Sequence, residues 1–333
     1  MPSSAVPLSA VPSTAVPSWR NEPGDIRRNL SAIDEWASSG CLDAIVRAFG
    51  GHSGVRSGAD LLEWLDLFSA EHWDFRGGQE RNLATSAELT PEVERLVLEC
   101  APDLGLAGPY PLGHSEYDAI LMTGGMVRAG IVKPRFGREL IDAGITAKSI
   151  VFLGAFRPFA GDESEVAEAL GVPGSDEFDA MVHGMELAFG PLGQPELTGS
   201  GGVENAGWRS VRWVADGVTL SVIAAPSSDP EHRRANTADT YRFWAEQQRG
   251  AAETCLVVTT PLYVPYQGAA AVEILGLEHR LAVETVGVSE TARDLGKHSQ
   301  SFLPQHHLQE LRSAIRGMRS LRSRLSVAEA SGR

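Results

Sequence analysis

The sequence predicts an α/β fold: a Rossmann-like, doubly wound and mainly parallel sheet, with a helical domain in front of it. Three observations carry the prediction. From Tyr117 onward, short apolar runs alternate with helical stretches, as in a series of right-handed β-α-β crossovers. The runs VFLGAF and CLVVTT hold almost no polar residues, which suits strands buried on both faces. The run YDAILMT stops at Gly124-Gly125, and strand ends beside glycine loops are where open α/β sheets hold ligands.

In chain order, residues 1–22 come first and repeat the unit AVP. Proline and serine at this density oppose both helix and sheet, so a mobile arm is expected, with Trp19 as its one residue suited to docking. No early positive charge precedes an apolar core, so the stretch does not read as a signal peptide. Residues 23–112 form the expected helical domain. Ile26, Leu30, Ile33 and Trp36 recur at spacings of four, three and three, on one helix face. Ser57 precedes the apolar run LLEWLDLF as a cap, and Thr90 before Pro91 suits the cap and first-turn positions of another helix. This domain is expected to cover one side of the sheet or to shape a pocket.

Residues 113–333 form the expected sheet domain, with an insertion at about 191–217. DAILMTG is the first strand, KPRFGRELIDAG a helix and KSIVFLGAF the second strand. SDEFDAMVHGMELAFG is an amphipathic helix burying Phe178, Met181, Val182, Met185 and Phe189. Two strands flank Asp216-Gly217, a favoured hairpin turn. ANTADTYRFWAEQQR reads as a helix, TCLVVTTP as a strand, QGAAAVEILGL as a helix, LAVETVGV as the last strand and PQHHLQELRSAIRGMRSLRSRL as a closing helix.

Composition narrows the function. With 43% hydrophobic residues among 333, the chain has enough apolar material for a sizeable core. No run approaches the roughly 20 apolar residues of a membrane crossing. A net charge of −14 argues against a general nucleic-acid or anionic-membrane binder but leaves room for a local basic pocket. Cys41, Cys100 and Cys255 are dispersed and form no CxxC pair, so the expected compartment is the reducing cytoplasm. His306-His307 diverge by about 100° on a helix, and no metal site is expected.

Ligands of such sheets lie beyond the strand carboxyl ends, which selects the candidate residues. After the first strand come Thr123, Gly124 and Gly125, whose backbone lets a polar group approach closely. After the second come Phe156 and Arg157. The run RRANT follows the hairpin strand, where Asn236 and Thr237 suit helix capping, a ligand contact, or both. Thr259 and Thr260 end a buried strand with two hydroxyls, and Tyr263, Tyr266 and Gln267 follow. Arg135 and Arg138 read as surface partners of Glu139 and Asp142, and Asp162, Glu163 and Glu165 as a solvated acidic loop.

The order of these pieces resembles the DUF218 family, the ElyC/SanA/YdcF-like proteins, over about residues 115–290. The match runs through Gly124-Gly125, a helix arginine at Arg135, the turn LGAFRP, Glu177 and Met181 in DEFDAM, Asn236 and Thr237, and Thr259-Thr260. The family's histidine and arginine positions hold Tyr263 and Tyr266, which suit stacking and neutral hydrogen bonding. The resemblance implies a Rossmann-like sheet with a polar cleft and binding of S-adenosylmethionine or a nucleotide.

The resulting expectation is an enzyme of transferase type that uses S-adenosylmethionine or a related adenosine or nucleotide ligand. Gly124-Gly125, Asn236, Thr237, Thr259 and Thr260 would hold the ligand, with Arg135, Phe156 and Arg157 beside them. Glu177 would accept from a diol or an ammonium, and Tyr263 or Tyr266 would stack or transfer a proton. The alternatives are a metal-assisted phosphoester or pyrophosphate hydrolase using Arg128, Arg135, Arg157 or Arg233, and a non-catalytic ligand-binding protein. For the last, the stripe of Arg312, Arg316 and Arg319 would be a contact surface. Homo-oligomerisation stays open, and the substrate is a small molecule in each enzymatic reading.

Overall fold

The computed structural model describes residues 17–75, 88–108, 110–200, 204–248 and 252–332. Of the expected arm at residues 1–22, residues 1–16 therefore lie outside the described residues. Among the described residues, four helices lead: α1 (Asp25–Ala37), α2 (Gly40–Ala48), α3 (Gly58–His72) and α4 (Pro91–Cys100). Thr90 caps α4 by accepting the N–H of Val93, with Pro91 at the first helical position. Ser57 stands at the start of α3 but makes no capping hydrogen bond with its side chain.

The sheet region then runs β1 (Glu116–Thr123), α5 (Val127–Asp142), β2 (Thr146–Gly154), α6 (Glu163–Leu170) and α7 (Glu177–Phe189). It continues with β3 (Glu196–Ser200), β4 (Trp208–Ala215), β5 (Val218–Ala224), α8 (Thr237–Gln247), β6 (Thr254–Thr259) and α9 (Val264–Ala271). It ends with β7 (Ala282–Gly287), α10 (Glu290–Arg293) and α11 (Pro304–Ala330). The strand order is β3-β4-β5-β2-β1-β6-β7. Strands β5, β2, β1, β6 and β7 are parallel, whereas β3 and β4 form an antiparallel edge. The hairpin of β4 and β5 turns at Asp216-Gly217, where both residues have positive φ (51° and 79°), the requirement of a type I′ turn.

Alternate side chains feed two cores. Ile120, Met122, Phe152 and Val222 pack with Phe178, Met181 and Met185 on one face. Leu121, Val151 and Val257 pack with Tyr241, Trp244, Leu275 and Ile315 on the other. The N-terminal helices join this second core: Trp36, Leu62, Leu65 and Trp73 share it with Leu311 and Met318 of α11. Trp19 docks as well. Its N–H donates to Val283 O at 3.0 Å, and its ring covers Gly276.

The chain departs from the sequence reading in four places, each with a physical cause. Helix α5 starts at Val127, before the KPRF run, and carries Pro134 inside it. Proline cannot donate to the carbonyl four residues back, that of Gly130, and α7 covers that carbonyl by laying Gly184 against it. Helix α6 forms over the expected acidic loop because Glu163 is buried against Arg157. Strand β3, which no apolar run announces, pairs with β4 along the backbone ladder and through an Arg212–Glu196 ion pair at 3.4 Å, and is exposed along its whole length. Helix α9 widens at Val272–Glu278 into a π-helix.

Candidate functional site

Strand order reverses at β1, with β2 on one side and β6 on the other, and ligands of doubly wound sheets sit outside such switch points. A cleft of about 820 Å³ opens there. Its floor is the Thr123-Gly124-Gly125 stop of β1, Gly154-Ala155 after β2 and Thr260 after β6. Residues from the start of α8 form one side, and residues of α9, its π-helical extension and α11 form the other. None of the described residues of α1–α4 lines it; those helices instead support α11 from behind.

The floor is held by a lysine. Lys133 of α5, 1% exposed, donates to the main-chain oxygens of Thr123 and Gly124 and to Thr123 Oγ1, the last two at 3.0 Å. Burial pulls its pKa down to about 7, with the charge of Glu177 opposing. Thr123 Oγ1 lies 3.1 Å from Thr259 Oγ1 and 2.9 Å from Gln267 Oε1, and the Thr259 hydroxyl donates to the same oxygen. Gln267 Nε2 donates onward to Thr237 Oγ1 at 3.4 Å. One glutamine thus ties together the ends of β1 and β6 and the start of α8.

Beside the lysine lies a buried ionic cluster. Glu177 Oε1 accepts the Gly125 N–H at 2.7 Å, and Glu177 Oε2 accepts from Arg157 Nε at 3.2 Å. Arg157 also forks onto Glu163, with contacts of 2.5 and 2.9 Å, and donates to Gly125 O at 3.0 Å. Burial raises the pKa of Glu177, although Arg157 and Arg234 pull it down. Burial also opposes ionisation of Arg157 and Glu163. Their mutual hydrogen bonds and charges win, holding the arginine above and the glutamate below its ordinary range.

The start of α8 is closed by a capping box: Asn236 accepts the Asp239 N–H at 3.0 Å, and Asp239 accepts the Asn236 N–H at 3.0 Å. Arg233 pairs with Asp239 and donates to Ser228 Oγ at 2.7 Å. Five arginines line the cleft, Arg157, Arg233, Arg234, Arg242 and Arg316, against three glutamates, Glu177, Glu273 and Glu310. Three of the five are already paired with carboxylates: Arg157 with Glu163 and Glu177, Arg233 with Asp239 and Arg242 with Glu278.

Most candidates read from the sequence meet here. Thr123, Gly124, Gly125, Arg157, Glu177, Asn236, Thr237, Thr260, Tyr263 and Tyr266 all line the cleft. Thr259 lies behind the floor, fully buried in the Gln267 network. Two residues are elsewhere. Arg135 projects from α5 to the loop after β7, donating to Asp294 O at 2.8 Å and Ala292 O at 3.4 Å. Phe156 points to the far side of the β2 turn, its ring 5.3 Å from the Arg209 guanidinium. The Gly125 amide, expected to await a ligand, is taken by Glu177, so a guest meets a carboxylate there.

Sequence reasoning missed Lys133, Glu163 and the α11 contribution. Lys133 has the signal of two apolar residues before it and a proline after it, on a helix buried over most of its first half. Glu163 carries no periodic signal, because its partner sits in a loop six residues earlier. Among the described residues, no group of three or more His, Cys, Asp or Glu is placed to hold a metal ion. No described helix is long and apolar enough to cross a membrane.

A family model described as the Rv3785 N-terminal domain matches residues 20–105. The chain is 29% identical to the uncharacterized protein Rv3785 of Mycobacterium tuberculosis over 338 residues, covering 92% of this chain and 94% of the relative. It is equally similar to the uncharacterized protein Mb3814 of Mycobacterium bovis. No solved structure matches. These findings overturn the resemblance to DUF218: the family match falls on the N-terminal helices, and the relatives run nearly end to end with the chain as Rv3785-type proteins. The shared motifs have a local explanation. A glycine pair after a strand, an Asn-Thr helix start and a Thr-Thr strand end recur wherever a switch-point floor and a capping box are built.

Proposed function

We propose that the cleft binds an anionic small molecule of the nucleotide type, and that the protein is an enzyme of transferase rather than hydrolase type acting on it. One observation carries the reading: a roomy cleft at the strand-order switch point whose wall holds five arginines. Phosphate groups would face Arg233, Arg234 and the start of α8, where guanidinium forks match anionic oxygens. Tyr263 and Tyr266, both half-buried, would take a base by stacking. Glu177, an acceptor when ionised, would take hydroxyls of a ribose-like diol, and its raised pKa suits it to receive a proton there.

S-adenosylmethionine belongs to the same size class, but its sulfonium and ammonium are poorly matched to an arginine lining; an ATP-like ligand is favoured within the proposal. The hydrolase reading called on Arg128, Arg135, Arg157 or Arg233, of which Arg157 and Arg233 line the cleft and the other two do not. Arg128 Nε instead donates to His298 O at 2.8 Å, so both arginines fasten the loop after β7. The reading keeps the cytoplasm as compartment, in line with three free thiols.

Calorimetric titration with ATP, S-adenosylmethionine, its demethylated product and NAD at two salt concentrations tests this. Saturable ATP binding that weakens with salt, and falls about tenfold or more in Arg234→Met, is expected. If none of the four binds, or if Arg234→Met binds like the parent, the reading fails.

A further inference from the structure

The π-helical segment after α9 and the helix α11 line one compartment of the cleft. On the sequence, Arg312, Arg316 and Arg319 form one stripe, but the fold divides them. Arg312 pairs with Asp74 at 3.2 Å and Arg319 with Asp66 at 2.7 Å, whereas Arg316 lines the cleft and has no ion-pair partner among the described residues. Glu273, carried by the π-helix Val272–Glu278, lines the same cleft. Such widened turns are rare and concentrate at functional sites.

The two charges are neighbours that do not touch. Ser320 lies four residues, about one turn, beyond Arg316 and donates to Glu273 Oε2 at 2.8 Å. The Glu273 carboxylate therefore stands within about a turn of Arg316, yet no ion pair joins them. A guanidinium and a carboxylate that line one side of a cleft without pairing are matched by a ligand with the reverse pair of charges. Ile274, Ala270 and Gly317 supply an apolar surface beside them. A second phosphate-rich molecule would be repelled by Glu273; a compact zwitterion would be repelled by neither.

We propose that this compartment, through Arg316 and Glu273, binds a small zwitterion of the amino-acid type as a co-ligand, its carboxylate on Arg316 and its ammonium on Glu273. The proposal rests on reading the cleft as a ligand site and adds a second occupant to it.

The test is calorimetry of the full chain with each free L-amino acid, with and without ATP, and with the N-acetyl and carboxamide forms of any that bind. At least one amino acid should bind saturably, and each blocked form should bind at least about tenfold more weakly. Arg316→Met and Glu273→Gln should each lose about tenfold in that affinity, with melting temperature unchanged. Absence of binding by every amino acid overturns the proposal, as does binding that either variant or either blocked form leaves intact. Amino-acid failure with ATP binding retained removes this compartment alone; amino-acid binding without ATP binding removes only the nucleotide reading.

Discussion

The carboxylate of Glu177 lies directly against Gly124 and takes the N–H of Gly125 at 2.7 Å, so an acidic side chain of α7 fills the space any larger residue at position 124 would need. A Cβ at Gly124 would collide with Glu177 Oε1. Gly124→Ala should therefore lose about 1–3 kcal/mol of stability through overpacking. Adding Glu177→Ala removes the obstructing atoms, so the double variant should fall short of the sum of the single losses by at least about 0.5 kcal/mol. Urea unfolding of all four proteins reads the coupling, and strict additivity would separate the two residues.

Lys133 predicts a pH dependence with a definite sign. Burial pulls its folded pKa down to about 7, while an unfolded lysine stays protonated to about 10.4. Between those values the unfolded chain binds the extra proton, so this lysine's contribution to stability rises with pH and is lost as pH falls through 7. The steepest slope is about 1.4 kcal/mol per pH unit. Lys133→Met should flatten the stability curve between pH 7 and about 10, and it should cost about 1–3 kcal/mol by stranding the carbonyls of Thr123 and Gly124. Chemical denaturation at several pH values compares the two slopes; parallel curves would mean that Lys133 stays charged throughout.

What the sequence disclosed follows from how local each signal is. The strands around Ile120, Val151 and Val257 show as apolar runs, Asp216-Gly217 announces its own turn, and the glycine pair marks the cleft floor. These signals span a few neighbouring residues. Arg135 and Phe156 stand next to residues that do line the cleft, yet helix and turn geometry aim them away from it. Lys133 and Glu163 are buried charges whose partners arrive from other elements, and a charged letter reads as surface until those partners are placed. Arg312, Arg316 and Arg319 on α11 look alike in sequence; only the positions of Asp74 and Asp66 distinguish Arg316.

Arg157 should be the costliest single charge to remove near the cleft. It is 8% exposed and holds Glu163 and Glu177 together. Arg157→Met leaves two buried carboxylates without their cation, a loss of about 3–5 kcal/mol. The acid limb should move too. With the arginine, the Glu163 carboxyl stays below its ordinary 4.5, so its stabilisation is present above that value and is lost as pH falls through the folded pKa. Without it, burial is opposed only by the backbone donors, and the acid-unfolding midpoint should shift to higher pH. An unchanged midpoint would show that backbone donors at Val127 and Ala160 suffice to hold the charge.

Gly184 tests whether the cleft floor depends on helix packing rather than on its own residues. It lies on α7 against the Gly130 carbonyl of α5, the carbonyl that Pro134 leaves without its helical donor. A Cβ there would strike that oxygen and push the helices apart. Those helices carry Glu177 and Lys133, which meet at Gly124-Gly125. Gly184→Ala should cost about 1–3 kcal/mol by overpacking and weaken ATP binding, although residue 184 does not line the cleft. Gly193→Ala, with nothing within 4 Å of its added carbon, should stay within about 0.5 kcal/mol of the parent and bind ATP normally. Urea midpoints and titrations of both variants decide the matter: equal behaviour of the two would mean that the floor keeps its shape without the close approach of α5 and α7.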